Sequence, residues 1–101
     1  MKKIQLLISF MELSALHEII RVYKFQQNDL HIMAMHIIWK VYHRLTTRTF
    51  NPTKKPIKFS LKIAEAVALR IVLVDVYDHS NDEYYKNVAL RITNTITQSL
   101  T

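Results

Sequence analysis

The chain has no glycine and no cysteine among its 101 residues, and only two prolines, Pro52 and Pro56. Phosphate-cradling loops, dinucleotide-binding fingerprints and the strained nucleophile elbow all need backbone that a side chain would obstruct, so the absence of glycine sets those enzyme classes aside. The absence of cysteine removes disulfides, thiol nucleophiles and cysteine-ligated zinc or iron–sulfur sites, and fits a reducing compartment. A cytoplasmic location is expected. Long hydrophobic runs are missing too. Leu30 to Trp39 is uncharged but has only half of the roughly 20 residues that a spanning helix needs, and it contains His31 and His36. Lys2-Lys3 followed by Ile4 to Met11 superficially resembles a signal peptide, but Glu12 interrupts the apolar run and no small-residue cleavage site follows. A soluble chain without membrane or secretory segments is the expectation.

What the chain does have is 50% hydrophobic residues against 22% charged, enough for a packed core in one domain spanning residues 1–101. Its net charge of +6 favours a polyanionic partner such as nucleic acid.

Sliding the sequence against itself by 53 positions brings Ile4, Leu6, Ile8 and Glu12 onto Ile57, Phe59, Leu61 and Glu65, and Lys2 onto Lys55. Further on, Ala15-Leu16 meets Ala68-Leu69 and Asn28-Asp29 meets Asn81-Asp82. The periodicity switches at the same points in both segments, from two-residue alternation to helical spacing, then a break, then helical spacing again. The expectation is an internal repeat of strand-helix-helix units, residues 2–46 and 55–99, joined by a linker at 47–56 that holds both prolines.

In the first helix of each unit, Leu13, Leu16, Ile20 and Tyr23 and their counterparts Ala66, Leu69, Leu73 and Val76 recur every three or four residues, predicting one core-facing stripe. Ser9 with Glu12 forms a capping-box pattern, of which the second unit, with Lys62 at the cap position, keeps only Glu65. The breaks after these helices put Asn28 and Asn81 where a left-handed residue is needed and Asp29 and Asp82 at the following N-cap. The second helices are predicted from about Leu30 to Thr46 and Glu83 to Leu100, with Ile32, Met35 and Trp39 and Val88, Ile92 and Ile96 inward. His43, which aligns with Ile96, is expected to be half-buried.

Residues 57–63, IKFSLKI, decide between two architectures. A helix there would scatter Ile57, Phe59, Leu61 and Ile63 around a cylinder and bury lysines, whereas a strand puts all four on one side and Lys58, Ser60 and Lys62 on the other. The expected fold is therefore α+β and mostly helical, a two-stranded antiparallel ribbon packed on four helices, with an all-α four-helix bundle as the alternative. The outward residues are Lys3, Gln5, Leu7 and Ser9 on one strand and Lys58, Ser60 and Lys62 on the other. Lys2-Lys3 and Lys54-Lys55 fall at opposite ends of such a ribbon.

With IKFSLKIAEAVALRIV running from strand into helix, the chain resembles the ribbon-helix-helix family of DNA-binding proteins. The resemblance implies a single-chain pseudo-dimer in which Lys58, Ser60 and Lys62, and Gln5, Leu7 and Ser9, occupy the alternating base-reading positions. It further implies duplex DNA as partner and a role as a small transcriptional or plasmid/phage-type regulator. Candidate nucleic-acid-binding residues are accordingly Lys2, Lys3, Gln5, Ser9, Lys54, Lys55, Lys58, Ser60 and Lys62. The basic linker region Arg44, Arg48, Lys54 and Lys55 reads as an ordinary solvated loop.

No catalytic residue, metal or cofactor is expected. The histidines lack the i, i+4 spacing of helical metal ligands: His31 and His36 are five apart, His36 and His43 seven. The cluster Asp75, Asp78, His79, Asp82, Glu83 spans a helix end and reads as capping and solvation. Met11, Met33, Met35, Trp39 and Tyr42 read as core or interface. A second apolar line on the first helix, Met11, Ala15, Ile19, Val22 and Phe25, supports the rival function, a protein-interaction or self-assembling module without nucleic acid.

Overall fold

The computed structural model describes residues 3–101, so that Lys2 lies outside the described residues. Element order is β1 (Lys3–Ile8), α1 (Phe10–Val22), α2 (Asp29–Thr49), β2 (Ile57–Lys62), α3 (Ile63–His79) and α4 (Glu83–Leu100). The fold is α+β with a two-stranded antiparallel ribbon and four helices, not an all-helical bundle.

Alternation makes the ribbon two-faced. Its inner cross-strand pairs are Ile4 with Leu61, Leu6 with Phe59 and Ile8 with Ile57, all buried. Its outer pairs are Lys3 with Lys62, Gln5 with Ser60 and Leu7 with Lys58. Two strands alone are marginal in water, and here α3 and α4 lie against the apolar side. The halves interlock, because α1 packs on both α2 and α4 while α3 packs on both α4 and α2.

The stripes predicted for α1 and α3 are buried at Leu13, Leu16 and Ile20 and at Ala66, Leu69 and Leu73, with Tyr23 and Val76 half-buried beyond them. Ala15 and Ile19 also enter the core, leaving Met11 and Val22 exposed from the second apolar line. In α4 the buried residues are Val88, Ala89, Ile92 and Ile96.

In α2 the inward residues are Ala34, Ile38, Val41 and Leu45, whereas Ile32 and Trp39 face solvent, Trp39 at 47% exposure. His43 is exposed because Leu45 takes the place that Ile96 has in α4. α1 stops at Val22 and six residues lead to α2, while α3 runs on to His79 and three residues lead to α4. The offset of 53 does not carry into the second helices, whose buried residues Ile38, Val41 and Leu45 match Ala89, Ile92 and Ile96 at an offset of 51.

The breaks keep the expected cap at Asp82 but differ at Asn28 and in using no left-handed residue. No described residue has positive φ. Asn28 itself is the extended N-cap of α2, its Oδ1 accepting from the His31 N–H at 2.9 Å, so Asp29 is the first helical residue. Asp82 caps α4 by accepting from the Tyr85 N–H at 3.1 Å. Both helix starts thus use a side-chain acceptor for a backbone donor left free by the helix geometry, and no left-handed residue is required.

Candidate nucleic-acid interface

The outer face of the ribbon presents Lys3, Gln5, Leu7, Lys58 and Lys62 to solvent, with Ser60 half-buried. Six residues per strand give a strip of roughly 17 Å. Its ends differ in charge. Lys3 stands directly opposite Lys62, a like-charge pair that is unfavourable on its own. At the other end Lys58 faces Leu7, which is 58% exposed. Lys54 and Lys55 are exposed on the loop that enters this second end. Ser9 lies one residue past β1 as the N-cap of α1. Its Oγ accepts from the Glu12 N–H at 3.1 Å while Glu12 Oε1 accepts from the Ser9 N–H at 3.0 Å. That hydroxyl is therefore engaged in capping, not displayed among the strand side chains.

Arg44 is a helical residue of α2, not part of a basic loop, and it joins α2 to the ribbon. It donates through Nη1 to the Ser60 carbonyl and through Nη2 to Glu65 Oε1, both at 2.8 Å, with its guanidinium 5.0 Å from the centre of the Phe59 ring. Glu65, only 7% exposed, also accepts from the Lys62 N–H at 2.8 Å, so its buried charge is paired and hydrogen-bonded. Lys62 has no acceptor atom, and the second capping box is therefore half-formed. Beyond Arg44, a groove of about 340 Å³ runs between α2 and the edge of β2, lined by Arg44, Thr47, Arg48, Lys58, Phe59 and Ser60. Among the described residues no carboxylate pairs with Lys3, Arg48, Lys58 or Lys62.

A second arginine bridge crosses between the two segments in the opposite sense. Glu12, at the same capping position as Glu65, bonds Arg91 of α4. Burial would raise the Glu12 carboxyl, but the Ser9 N–H and the Arg91 guanidinium outweigh it and hold the group below its ordinary range. Sequence reasoning missed both arginine bridges. The signal available was the match of Glu12 with Glu65, which marks two carboxylates needing a partner beyond the cap.

Away from the ribbon, the Tyr23 hydroxyl donates to Asp75 Oδ2 at 2.6 Å, and His79 Nδ1 lies 2.8 Å from Asp75 Oδ1. Burial and the Asp75 carboxylate push the Tyr23 hydroxyl far above its ordinary value. Each group in this cluster has a partner, and the cluster ties the ends of α1 and α3 together. Among the described residues, no three histidine, aspartate or glutamate side chains are placed to hold a metal ion. No helix among them is long and apolar enough to cross a membrane.

No protein-family model, no curated protein and no solved structure matches the chain. The site's own geometry therefore carries the functional argument.

Proposed function

We propose that this protein binds duplex DNA without catalysing a reaction, laying the outer face of its ribbon into the major groove, as a small DNA-binding regulator of ribbon-helix-helix type would. The supporting observation is the solvent face of the ribbon, where Lys3, Lys58 and Lys62 have no acidic partner among the described residues. A groove about 12 Å wide admits a two-stranded ribbon, with Gln5 and Ser60 as polar groups for base edges and the cations for phosphates.

Fluorescence anisotropy of a labelled mixed-sequence duplex across a salt series tests this. Affinity should fall with salt at a log–log slope of about −0.9 per phosphate contact, and Lys58→Glu with Lys62→Glu should abolish most of it. Equal binding by both folded proteins, or none by either at low salt, would exclude the ribbon.

A second reading has its own observation. Leu30, Met33, Ile37, Val67 and Ile71 line an almost wholly apolar groove of about 260 Å³ between α2 and α3, with Met33 58% exposed. Such a surface suits a protein partner or self-association. Sedimentation equilibrium of the wild type beside Met33→Glu tests for a self-associated species that the variant loses.

A further inference from the structure

The two flanks of the ribbon are chemically unequal. On the β2 side the groove beside α2 gathers Arg44, Arg48 and Lys58, and Lys62 extends the charge along the strand. On the β1 side the neighbouring helix is α4. Measured from the buried stripe, with Leu45 matched to Ile96, the positions of Arg44, Thr47 and Arg48 are taken in α4 by Thr95, Gln98 and Ser99. No ionisable side chain occurs from Thr93 to Thr101. The nearest arginine on that helix, Arg91, is neutralised by Glu12. Within the ribbon the β1 side contributes Lys3 alone among the described residues, and Lys3 stands at the Lys62 end.

We infer that duplex DNA is held asymmetrically, with phosphate contacts concentrated on the β2–α2 flank through Arg48, Lys58 and Lys62, while the β1–α4 flank carries no comparable charge. This rests on the reading that the ribbon meets DNA. The physical argument is charge complementarity. Each phosphate contact requires an available cation, and a neutral polar flank releases no counterions. Arg44 is partly neutralised by Glu65, so Arg48 is the flank's free helical cation. The close approach of Lys3 to Lys62 adds a second anion-seeking point at one end of the strip, where a phosphate would relieve their repulsion. Two consequences follow. The protein has a preferred direction on its site despite its pseudo-symmetric fold, and the bound sequence has no need of two-fold symmetry.

The experiment compares salt slopes on one mixed-sequence duplex for the wild type, Arg48→Gln, Gln98→Glu and the double variant Arg48→Gln with Gln98→Arg. Arg48→Gln should lower the slope's magnitude by about 0.9, one contact. Gln98→Glu should leave affinity and slope unchanged, and moving the charge to position 98 should not restore what Arg48→Gln removes. Amide chemical-shift changes on adding the duplex should concentrate in β2 and the second half of α2. Loss of affinity in Gln98→Glu, restoration by the moved arginine, or equal shifts on both flanks would overturn the asymmetry while leaving ribbon binding in place. Absence of wild-type binding at low salt would overturn the DNA reading itself, and this inference with it.

Discussion

Along α2, the side chains bordering the ribbon beyond the buried stripe are Arg44, Thr47 and Arg48; at the same places along α4 stand Thr95, Gln98 and Ser99. The two helices bury equivalent residues, Ile38, Val41 and Leu45 against Ala89, Ile92 and Ile96, and then present opposite chemistry to solvent. Each helix uses one arginine for the fold, Arg44 on Glu65 and Arg91 on Glu12. Arg48 and Lys58 beside β2 have no such partner among the described residues and no counterpart on α4, and unpaired charge on one side of a two-faced ribbon is what a polyanion would use.

The largest effects should fall where the helices are alike. Leu45→Ala and Ile96→Ala each remove a fully buried side chain, and each should cost about 2–5 kcal/mol in a urea titration. A much smaller loss for Leu45→Ala would mean that α2 is less firmly docked than α4, and would separate the halves in stability as well as in surface.

A smaller effect should separate the two arginine bridges. Arg44→Met leaves Glu65 at 7% exposure without its counter-charge, and about 1–3 kcal/mol should be lost, the guanidinium itself being partly solvated. Arg91→Met leaves Glu12 more accessible to water and should cost under about 1 kcal/mol. Denaturation midpoints of the two variants check the order. Equal losses would show that the deeper burial of Glu65 adds nothing to the cost of removing its partner.

The strands were legible because residues 3–8 and 57–62 alternate and place Ile4, Leu6, Ile8, Ile57, Phe59 and Leu61 on one face. Leu7 stands on the other face, and Ile63, expected on the inner one, begins α3 and is exposed because the chain has already turned into the helix. The stripes of α1 and α3 were legible for the same reason, at helical spacing. α2 was not, because apolar residues surround it: Leu30, Ile32, Met33, Met35, Ile37, Ile38, Trp39 and Val41 leave no unique face, and the borrowed register was wrong by two residues. Of the candidate site, the outward residues Lys3, Gln5, Lys58 and Lys62 follow from strand alternation alone. At Ser9 the two-residue alternation and the helix cap compete for one position, and the cap prevails. Arg44 could not be placed from sequence, since its role depends on how α2 crosses β2, a long-range contact that no local pattern encodes.

The finest difference between the halves is a hydroxyl partner. In the first half His17 Nε2 lies 2.9 Å from Thr46 Oγ1, with the imidazole stacked on Tyr42; in the second, at matching positions, Arg70 Nη1 donates to Thr97 Oγ1 at 3.4 Å. Only the first pair titrates near neutrality. Burial pushes the His17 imidazole below its ordinary value, the Glu18 carboxylate offsetting part of this. The unfolded chain therefore binds more protons than the native one between the two values. His17's contribution is whole above about pH 6.5 and is lost as pH falls through the folded value. His79 acts in the opposite sense. The Asp75 backbone carbonyl and carboxylate raise its imidazole, so its small contribution is present below about pH 6.5 and fades as pH rises through the folded value. In a His79→Gln background, urea midpoints should drop modestly between about pH 7.5 and pH 5, and a further His17→Gln should flatten that drop. A drop that survives His17→Gln would assign the sensitivity to another group and leave the two halves alike in their response to pH.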